Sequence, residues 1–202
     1  MFGKISTISR LRMASDGAGV STLVAFYGCP LRCKYCSNWI CHKKDAPRKT
    51  YYPEKLISIL SHDDIYFKMT GGGIVFGGGE PLLQAEFIHE VCKVVDPLWK
   101  KRIETSLFAK WEQIKLLTGD IDEWFVDIKD LNPKIYKAYT GKENDTVISN
   151  LNKLIEVVPK GKITIRVPHI VNFNTIDNVK HSIEELKTIG FSKIDEFEYV
   201  IP

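Results

Sequence analysis

Residues 28–38 (GCPLRCKYCSN) place Cys29, Cys33 and Cys36 within eight positions of a 202-residue chain. Three thiolates cannot complete the ligand set of a four-iron cluster, so a [4Fe–4S] cube held by this loop would leave one iron open to a substrate or cofactor. Catalytic zinc sites likewise keep one coordination position free. The alternative is a structural zinc knuckle that takes Cys41 as its fourth ligand. The spacing therefore predicts a metal centre.

The cysteine count and the chain start indicate the compartment. Five cysteines are an odd number, and the first four residues (MFGK) do not begin a secretory signal. A disulfide framework is therefore not expected, and we predict a reducing, cytoplasmic location. With 44% hydrophobic residues, the chain is long enough for one sizeable core, so residues 1–202 are predicted to be a single domain.

Charge and hydropathy argue against two classes of partner. The net charge of +3 is small and scattered, so no nucleic-acid partner is expected. No apolar stretch approaches the length of a membrane span, so no membrane partner is expected either. Residues 42–55 (HKKDAPRKTYYPEK) are locally basic. We interpret this segment as a solvated loop, with a docking patch for an acidic partner as the alternative.

Segments with strand-like and helix-like patterns alternate along the chain. The predicted strands are 21–27, 73–76, 102–107, 124–128, 162–167 and 194–201. The predicted helices are 53–60, 82–95, 110–117, 133–139, 147–158 and 176–188. Six such repeats predict an α/β fold with a parallel sheet, either doubly wound or curled toward a barrel.

The polar motifs follow the predicted strands at their carboxyl ends, where parallel α/β proteins gather their chemistry. They are the cysteine loop after the first strand, the glycine run 77–79 after the second, Thr105 and Ser106, Asp127 and Lys129, and Arg166. We therefore expect these motifs to share one site at this edge of the sheet.

The run 76–81 (FGGGEP) lets the backbone approach a ligand closely. It lacks the Gly-Lys-Ser/Thr ending of a phosphate loop and the spacing of a dinucleotide fingerprint. A carboxylate at Glu80 suits a cationic group such as an ammonium, and a tight strand-to-helix turn is the alternative. Asp127 and Lys129 share one strand face and would offer both charges to a ligand or pair with each other. Arg166 would clamp a ligand carboxylate or pair with a core carboxylate.

Together, these motifs resemble the glycyl-radical-enzyme activases of the radical S-adenosylmethionine superfamily, most closely the pyruvate formate-lyase type. The resemblance covers most of the chain. It rests on DGAGV at 16–20, the C-x3-C-x2-C loop with its aromatic Tyr35, the stretch 70–87 (TGGGIVFGGGEPLLQAEF), Glu104-Thr105, DIK at 127–129, the segment 141–154 and RVP at 166–168. The resemblance implies a partial (β/α)6 barrel of parallel strands with outer helices.

The resemblance also implies a cofactor site. The three loop cysteines would hold a [4Fe–4S] cluster whose fourth iron chelates S-adenosylmethionine. Gly78, Gly79 and Glu80 would receive the methionyl ammonium, and Lys129 would meet the carboxylate, with Arg166 in the same binding site.

Two further groups of contacts follow from the resemblance. Asp127, Thr105 and Glu104 would hold a monovalent cation beside the methionyl carboxylate. Tyr35 and Ser37 would lie along the adenosine, mainly through their backbone.

By the same resemblance, one electron from the reduced cluster would cleave S-adenosylmethionine to methionine and a 5′-deoxyadenosyl radical. That radical would abstract the α-hydrogen of a glycine in a partner glycyl radical enzyme. Reduced flavodoxin or ferredoxin would supply the electron.

Some positions depart from the family pattern. Ser21 stands where an arginine is usual, Ser37 stands where a histidine is common, and residues 169–174 (HIVNFN) replace a proline-glycine turn followed by Asn-Asp. Family members usually continue beyond the equivalent of Pro202, so the resemblance implies either a chain that lacks a C-terminal segment or a minimal relative. The alternatives are an activase of anaerobic ribonucleotide reductase, a radical enzyme acting on another substrate, or a metal-binding module without radical chemistry.

Overall fold

The structure is a computed structural model that describes residues 1–13, 15–43 and 45–199. Its strands are β1 (Gly3–Met13), β2 (Val20–Phe26), β3 (Lys49–Tyr51), β4 (Gly73–Gly78), β5 (Lys100–Thr105), β6 (Glu123–Asp127), β7 (Ile163–His169) and β8 (Ile194–Glu198). Its helices are α1 (Pro53–Leu60), α2 (Asp64–Thr70), α3 (Ala85–Val94), α4 (Trp111–Leu117), α5 (Pro133–Thr140), α6 (Asp145–Val157) and α7 (Ile176–Ile189). Short 3-10 turns include Trp39–His42 and Pro81–Gln84.

The described strands form one sheet in the order β3-β1-β2-β4-β5-β6-β7-β8. The neighbours from β2 to β8 pair in parallel, which confirms the α/β fold with six parallel strands. Because β3 and β8 lie at opposite ends of this order, the sheet is a partial barrel and does not close. Charged side chains on β8 suit an edge strand, where they oppose pairing with another chain.

The sequence interpretation missed three elements. Strands β1 and β3 pair antiparallel at one end of the sheet, and α2 precedes β4. Most of β1 is at least partly exposed, and Gly3 and Ile5 are its only buried residues, so its apolar pattern is weak. The predicted helix 82–95 is divided, because a 3-10 turn at Pro81–Gln84 precedes α3. The predicted strand 194–201 ends at Glu198, and residues 200–202 lie outside the described residues.

The two faces of the parallel strands differ in character. Side chains such as Val24, Phe26 and Phe76 share one large core with apolar residues from the helices. The alternate positions Leu23 and Ala25 belong to a small separate cluster with Val75. Because side chains alternate along a strand, one face packs under the helices and the other faces the barrel interior. The helices therefore cover a single face.

Candidate active site

The cysteine loop begins where β2 ends and is tied to helix α5. The amide of Arg32 donates to the carbonyl of Thr140 at 2.8 Å, and the amide of Lys34 donates to the carbonyl of Tyr139 at 3.1 Å. The two donors, Arg32 and Lys34, are the residues on either side of Cys33. A further bond of 3.3 Å from the amide of Cys36 to the carbonyl of Cys33 turns the loop. Backbone hydrogen bonds therefore position the cysteine loop without the help of a metal.

A cavity of about 410 Å³ lies beside this loop, within the size range of ligand pockets. Twelve of the thirteen predicted site residues line it, drawn from the ends of five parallel strands and the loops that follow them. They are Cys29, Cys33, Cys36, Ser37, Gly78, Gly79, Glu80, Glu104, Thr105, Asp127, Lys129 and Arg166. The structure thus brings the separate motifs to one place.

The glycine run approaches the cysteine loop so closely that a side chain would not fit. The amide of Gly79 donates to the carbonyl of Phe26 at 3.0 Å, and the amide of Glu80 donates to the carbonyl of Gly28 at 2.8 Å. A Cβ on Gly79 would lie 2.2 Å from the carbonyl oxygen of Gly28, and Gly78 has a φ of +90°. Glycine is required at both positions. At Gly79 the contact with Gly28 excludes a side chain, and at Gly78 the positive φ disfavours any other residue.

Glu80 is 1% exposed, and its carboxylate is fully engaged with the protein. Oε1 accepts from the hydroxyl of Thr105 at 2.6 Å and the amide of Leu82 at 3.2 Å. Oε2 accepts from the amide of Ser106 at 2.9 Å and from its hydroxyl at 2.6 Å. Burial raises the pKa of Glu80, although these hydrogen bonds oppose the rise. Glu80 therefore ties the end of β4 to the end of β5; its contact with a ligand ammonium stays a prediction.

Lys129 supplies a cation to the cavity. It is 8% exposed, and its Nζ lies 3.6 Å from a carboxylate oxygen of Asp127. Burial opposes its charge, but the nearby carboxylate of Asp127 favours it, and the net pKa of Lys129 lies above its ordinary value. The lysine is therefore protonated and can attract a ligand carboxylate into the cavity.

Arg166 pairs with Glu104 across the interior face, Nη1 to Oε1 at 2.7 Å. Its other nitrogen donates to the carbonyl of Ser15 at 3.1 Å, and its guanidinium lies 4.5 Å from the ring centre of Phe125. Burial lowers the pKa of Arg166, but Glu104 more than offsets this and the net pKa is raised. The carboxylate pairing, which was one of two interpretations of the sequence, is thus present; a role in cofactor binding stays a prediction.

The three residues predicted to hold a monovalent cation each have another partner. Glu104 pairs with Arg166, Asp127 pairs with Lys129, and Thr105 donates to Glu80. In the described ranges, no group of three or more His, Cys, Asp or Glu side chains is arranged to hold a single metal ion.

The three loop cysteines are free and half-buried. Burial raises the pKa of Cys29 and of Cys33, so both are protonated at neutral pH in the absence of a metal. A metal site would bind the thiolates and release their protons. Cys41, the zinc alternative's fourth ligand, is 2% exposed and lies outside the described lining of the cavity.

Of the thirteen predicted site residues, Tyr35 alone is absent from the described lining of the cavity. Its ring instead meets the rings of Tyr139 and Phe173 edge to face, with centroids 6.1 and 5.6 Å apart. Tyr199 extends this cluster, since its ring lies 6.1 Å from that of Tyr139 and 5.3 Å from the Lys129 ammonium. The aromatic cluster supports the outer wall of the site.

The sequence interpretation missed several lining residues. Asp195, Phe197 and Tyr199 line the cavity from β8 and the residue after it. Their spacing of two is the signal that could have found them, because alternate strand residues share a face. Asp195 is exposed on the last strand of the sheet, so the cavity opens at this edge.

The element DGAGV contributes to the interior face. Asp16 is 1% exposed and accepts hydrogen bonds from Arg12 at 2.6 Å and from the hydroxyl of Ser21 at 2.8 Å. Arg102, also 1% exposed, donates to the carbonyl of Ala18 at 2.7 Å. Together with the bond between Arg166 and the carbonyl of Ser15 described above, these contacts hold the segment across the barrel interior beside the cavity.

Comparisons with known proteins agree with this arrangement. A family model described as "Radical SAM superfamily" matches residues 23–192. Pyruvate formate-lyase-activating enzyme of Clostridium pasteurianum is 30% identical over 198 residues, covering 94% of this chain and 76% of that protein. A 4-hydroxyphenylacetate decarboxylase activating enzyme of Clostridioides difficile is 28% identical over 255 residues, covering 91% of this chain and 80% of that protein. The second alignment exceeds the length of this chain, so that relative carries inserted residues.

Solved structures show the same fold. Streptococcus suis SuiB bound to S-adenosylmethionine aligns with a TM-score of 0.66 at 17% identity, over 86% of this chain and 39% of that one. This chain thus corresponds to well under half the length of SuiB. The chain belongs to the radical SAM superfamily, and within it to the glycyl-radical-enzyme activating enzymes. Every described helix is too short or too polar to span a membrane.

Proposed function

We propose that this protein activates a glycyl radical enzyme by S-adenosylmethionine-dependent radical chemistry. The observation that carries the proposal is that Cys29, Cys33 and Cys36 line the same cavity as the buried cation of Lys129 and the glycine run ending at Glu80. Residues 1–202 act as one domain in this proposal, in a reducing cytoplasmic location that suits five free cysteines.

The side chains fit a [4Fe–4S] cluster with S-adenosylmethionine. Three thiols on one loop match the ligand set of a cluster with one open iron. Beside them, Lys129 offers a positive charge for the amino-acid carboxylate, and the backbone of Gly78 and Gly79 lines the cavity where the amino group would lie. Ser37 borders the same cavity on the loop side, where the adenosine would lie. A monovalent cation at Glu104, Thr105 and Asp127 stays a prediction, because each of these residues already has a partner.

When bound, the reduced cluster and S-adenosylmethionine supply a 5′-deoxyadenosyl radical that removes hydrogen from a glycine α-carbon. The protein's own residues bind and orient the cofactor. Lys129 and the glycine run fix the methionyl end, and the buried tie between Glu80 and Thr105 keeps that run in register with β5. Holding the reacting atoms in place and excluding other hydrogen donors are the protein's main contributions.

The protein substrate would reach the cavity at the edge formed by β8. Asp195 is exposed there and lines the cavity, and the sheet is not closed on this side. The relatives named above activate pyruvate formate-lyase and 4-hydroxyphenylacetate decarboxylase. The C. pasteurianum relative aligns without a long insertion, which favours a pyruvate formate-lyase type of target.

We place the entry of the electron at a surface that we call the Trp39 patch, formed by Trp39, Ile40, Lys43 and Arg48. Trp39 and Ile40 are 52% and 42% exposed. The Lys43 ammonium lies 4.2 Å from the Trp39 ring centre, and the Arg48 guanidinium lies 4.6 Å from that of Tyr27.

The patch is connected directly to the cysteine loop, since the amide of Trp39 donates to the carbonyl of Cys36 at 3.2 Å. Exposed apolar surface with a cationic rim suits an acidic one-electron carrier such as reduced flavodoxin or ferredoxin. We therefore propose that residues 42–55 contribute to a docking surface for an acidic partner.

The test is anaerobic incubation of the reconstituted enzyme with S-adenosylmethionine, a reductant and each of several glycyl radical enzymes. The set includes pyruvate formate-lyase, 4-hydroxyphenylacetate decarboxylase and anaerobic ribonucleotide reductase. We expect a glycyl radical signal by electron paramagnetic resonance in one partner, strongest for pyruvate formate-lyase, and none with the Cys33→Ala variant. Cleavage of S-adenosylmethionine without a radical in any partner would contradict the assignment as an activase.

A further inference from the structure

The ion pair between Lys129 and Asp127 is loose. The ammonium nitrogen lies 3.6 Å from a carboxylate oxygen of Asp127, beyond hydrogen-bonding distance. This contact therefore leaves the N–H donors of the ammonium free for a ligand. It also leaves the long lysine side chain some rotamer freedom, and the loss of that freedom on ligand binding lowers affinity. A second contact that confines the ammonium would therefore strengthen binding.

Tyr199 supplies such a contact. The centre of its ring lies 5.3 Å from the Lys129 ammonium. A lysine ammonium within about 6 Å of an aromatic ring centre is attracted by the negative face of the ring, most strongly where water is excluded. Lys129 is 8% exposed, and both residues line the cavity. The contact thus lies in a sheltered position at the cavity wall.

The ring of Tyr199 is itself supported by the fold. The amide of Tyr199 donates to the carbonyl of His169 at 2.9 Å, directly after the last paired residues of β7 and β8. The ring centre lies 6.1 Å from that of Tyr139, a fully buried residue of α5, and 6.4 Å from that of Phe197. Aromatic pairs at these separations attract each other. The ring therefore offers the lysine a supported surface.

We propose that Tyr199 is a positioning residue, whose ring holds the Lys129 ammonium at the cavity by a cation–π contact and thereby raises the affinity for S-adenosylmethionine. The inference rests on the proposed function, in which Lys129 meets the cofactor carboxylate. Asp127 and Tyr199 together confine the cation before the ligand arrives, so less rotamer freedom is lost on binding. The property that matters is the electron density of the ring.

Ring fluorination tests this property at nearly constant shape. Fluorine withdraws negative charge from the ring face and weakens a cation–π contact stepwise. The series places phenylalanine and its mono-, di- and trifluorinated forms at position 199, so loss of the tyrosine hydroxyl is common to all members. Each protein is reconstituted with iron and sulfide, and equilibrium dialysis gives the Kd for S-adenosylmethionine. We expect the Kd to rise with each fluorine, to roughly fivefold for the trifluorinated form.

Two controls separate this effect from a structural role. Trifluorinated phenylalanine at Phe173 changes a ring of the same aromatic cluster that is absent from the described lining of the cavity. This protein should bind like the wild type. All members of the position 199 series should share one unfolding midpoint, because their shapes are nearly the same.

Nuclear magnetic resonance tests the contact without a ligand. The reconstituted protein carries isotope-labelled lysine, and its cluster is kept oxidised and diamagnetic. The ring current of Tyr199 should shift the ε-methylene resonance of Lys129 upfield, and Tyr199→Leu should remove the shift. Lys129→Met assigns the resonance.

A constant Kd across the series would overturn the inference, as would a Kd that falls with fluorination, since the ring would then compete with the ligand for the cation. A Kd that rises only in parallel with lost stability, or a Lys129 resonance unchanged by Tyr199→Leu, would overturn it too. The proposed function fails separately, if the wild-type protein with an intact cluster binds no S-adenosylmethionine.

Discussion

The hydroxyl of Thr105 donates a 2.6 Å hydrogen bond to the carboxylate of Glu80, joining the end of β5 to the end of the glycine run. Both residues are buried, at 2% and 1% exposure. Thr105 also accepts from the amide of Leu107 at 2.9 Å, so one hydroxyl fixes two loops. The position of the glycine run in the cavity therefore depends on a side chain of the neighbouring strand.

Loss of the Thr105 hydroxyl should weaken both folding and ligand binding. Thr105→Val removes one of the four hydrogen bonds to Glu80 and leaves the Leu107 amide without its Thr105 partner, at a cost of about 1–3 kcal/mol in the free energy of unfolding. Thr105→Ser keeps the hydroxyl and is the matched control. Urea unfolding and equilibrium dialysis of S-adenosylmethionine measure the two effects. Wild-type affinity and stability in Thr105→Val would show that the tie does not position the run.

The glycine at position 79 should tolerate no side chain. Gly79→Ala would place a Cβ 2.2 Å from the carbonyl oxygen of Gly28, so the cysteine loop or β4 must shift. We expect a loss of at least about 2 kcal/mol in stability and a lower iron content after reconstitution. Gly119→Ala is the control, because its Cβ would meet nothing within 4 Å. Equal unfolding midpoints for the two variants would contradict the close approach.

Lys129 should bind the cofactor without being needed for the metal. Lys129→Met keeps much of the volume and removes the buried cation. We expect the Kd for S-adenosylmethionine to rise on the order of tenfold, equivalent to about 1.4 kcal/mol, with iron content unchanged. Lys180→Met, at an exposed position of α7, is the control. Tight binding by the Lys129 variant, measured by equilibrium dialysis, would exclude the predicted contact with the carboxylate.

Asp63 should make stability depend on pH at the acid end. Its buried carboxylate accepts from Arg10 Nε at 3.0 Å and from the hydroxyl of Thr22 at 2.8 Å. Burial alone would raise the pKa of Asp63, but these bonds hold it below its ordinary value. Because the pKa is lower in the folded state, the ionised carboxylate stabilises the fold at pH values above the unfolded-state pKa of about 3.9. This stabilisation is lost as the pH falls through the pKa of Asp63 in the folded protein.

Asp63→Asn should therefore unfold at a lower temperature than the wild type at pH 7, with the difference shrinking as the pH falls below about 4. Glu156→Gln, at an exposed position of α6, is the control and should follow the wild type throughout. Scanning calorimetry between pH 3 and pH 7 measures the trend. A constant difference at every pH would show that the charge of Asp63 is not involved.

The Trp39 patch should control reduction by a protein donor and leave reduction by a small molecule unchanged. Lys43→Glu reverses one charge of the patch, so reduction of the cluster by flavodoxin at low salt should slow on the order of tenfold, and added salt should narrow the difference. Stopped-flow absorbance follows the reaction. Reduction by dithionite serves as the internal control and should keep its rate. Equal flavodoxin rates in Lys43→Glu and the wild type would place the docking surface elsewhere.

The parallel strands and the gathering of motifs at their carboxyl ends could be predicted from the sequence, because both follow from local pattern and topology. Glu80 illustrates the limit. Its position in the cavity was predictable, but three of its four hydrogen bonds come from Thr105 and Ser106, which only the fold brings near. Strand β1 was missed because only Gly3 and Ile5 are buried.

The central claim concerns the chemistry at Cys29, Cys33 and Cys36, and the cleavage of S-adenosylmethionine tests it most directly. The protein is reconstituted with iron and sulfide under anaerobic conditions and reduced with dithionite. 5′-Deoxyadenosine is then quantified by chromatography after S-adenosylmethionine is added. We predict product well above that of a Cys33→Ala control, which should lack the intact cluster. An intact cluster in the wild type with no 5′-deoxyadenosine, even with a glycyl radical enzyme present, would contradict the account.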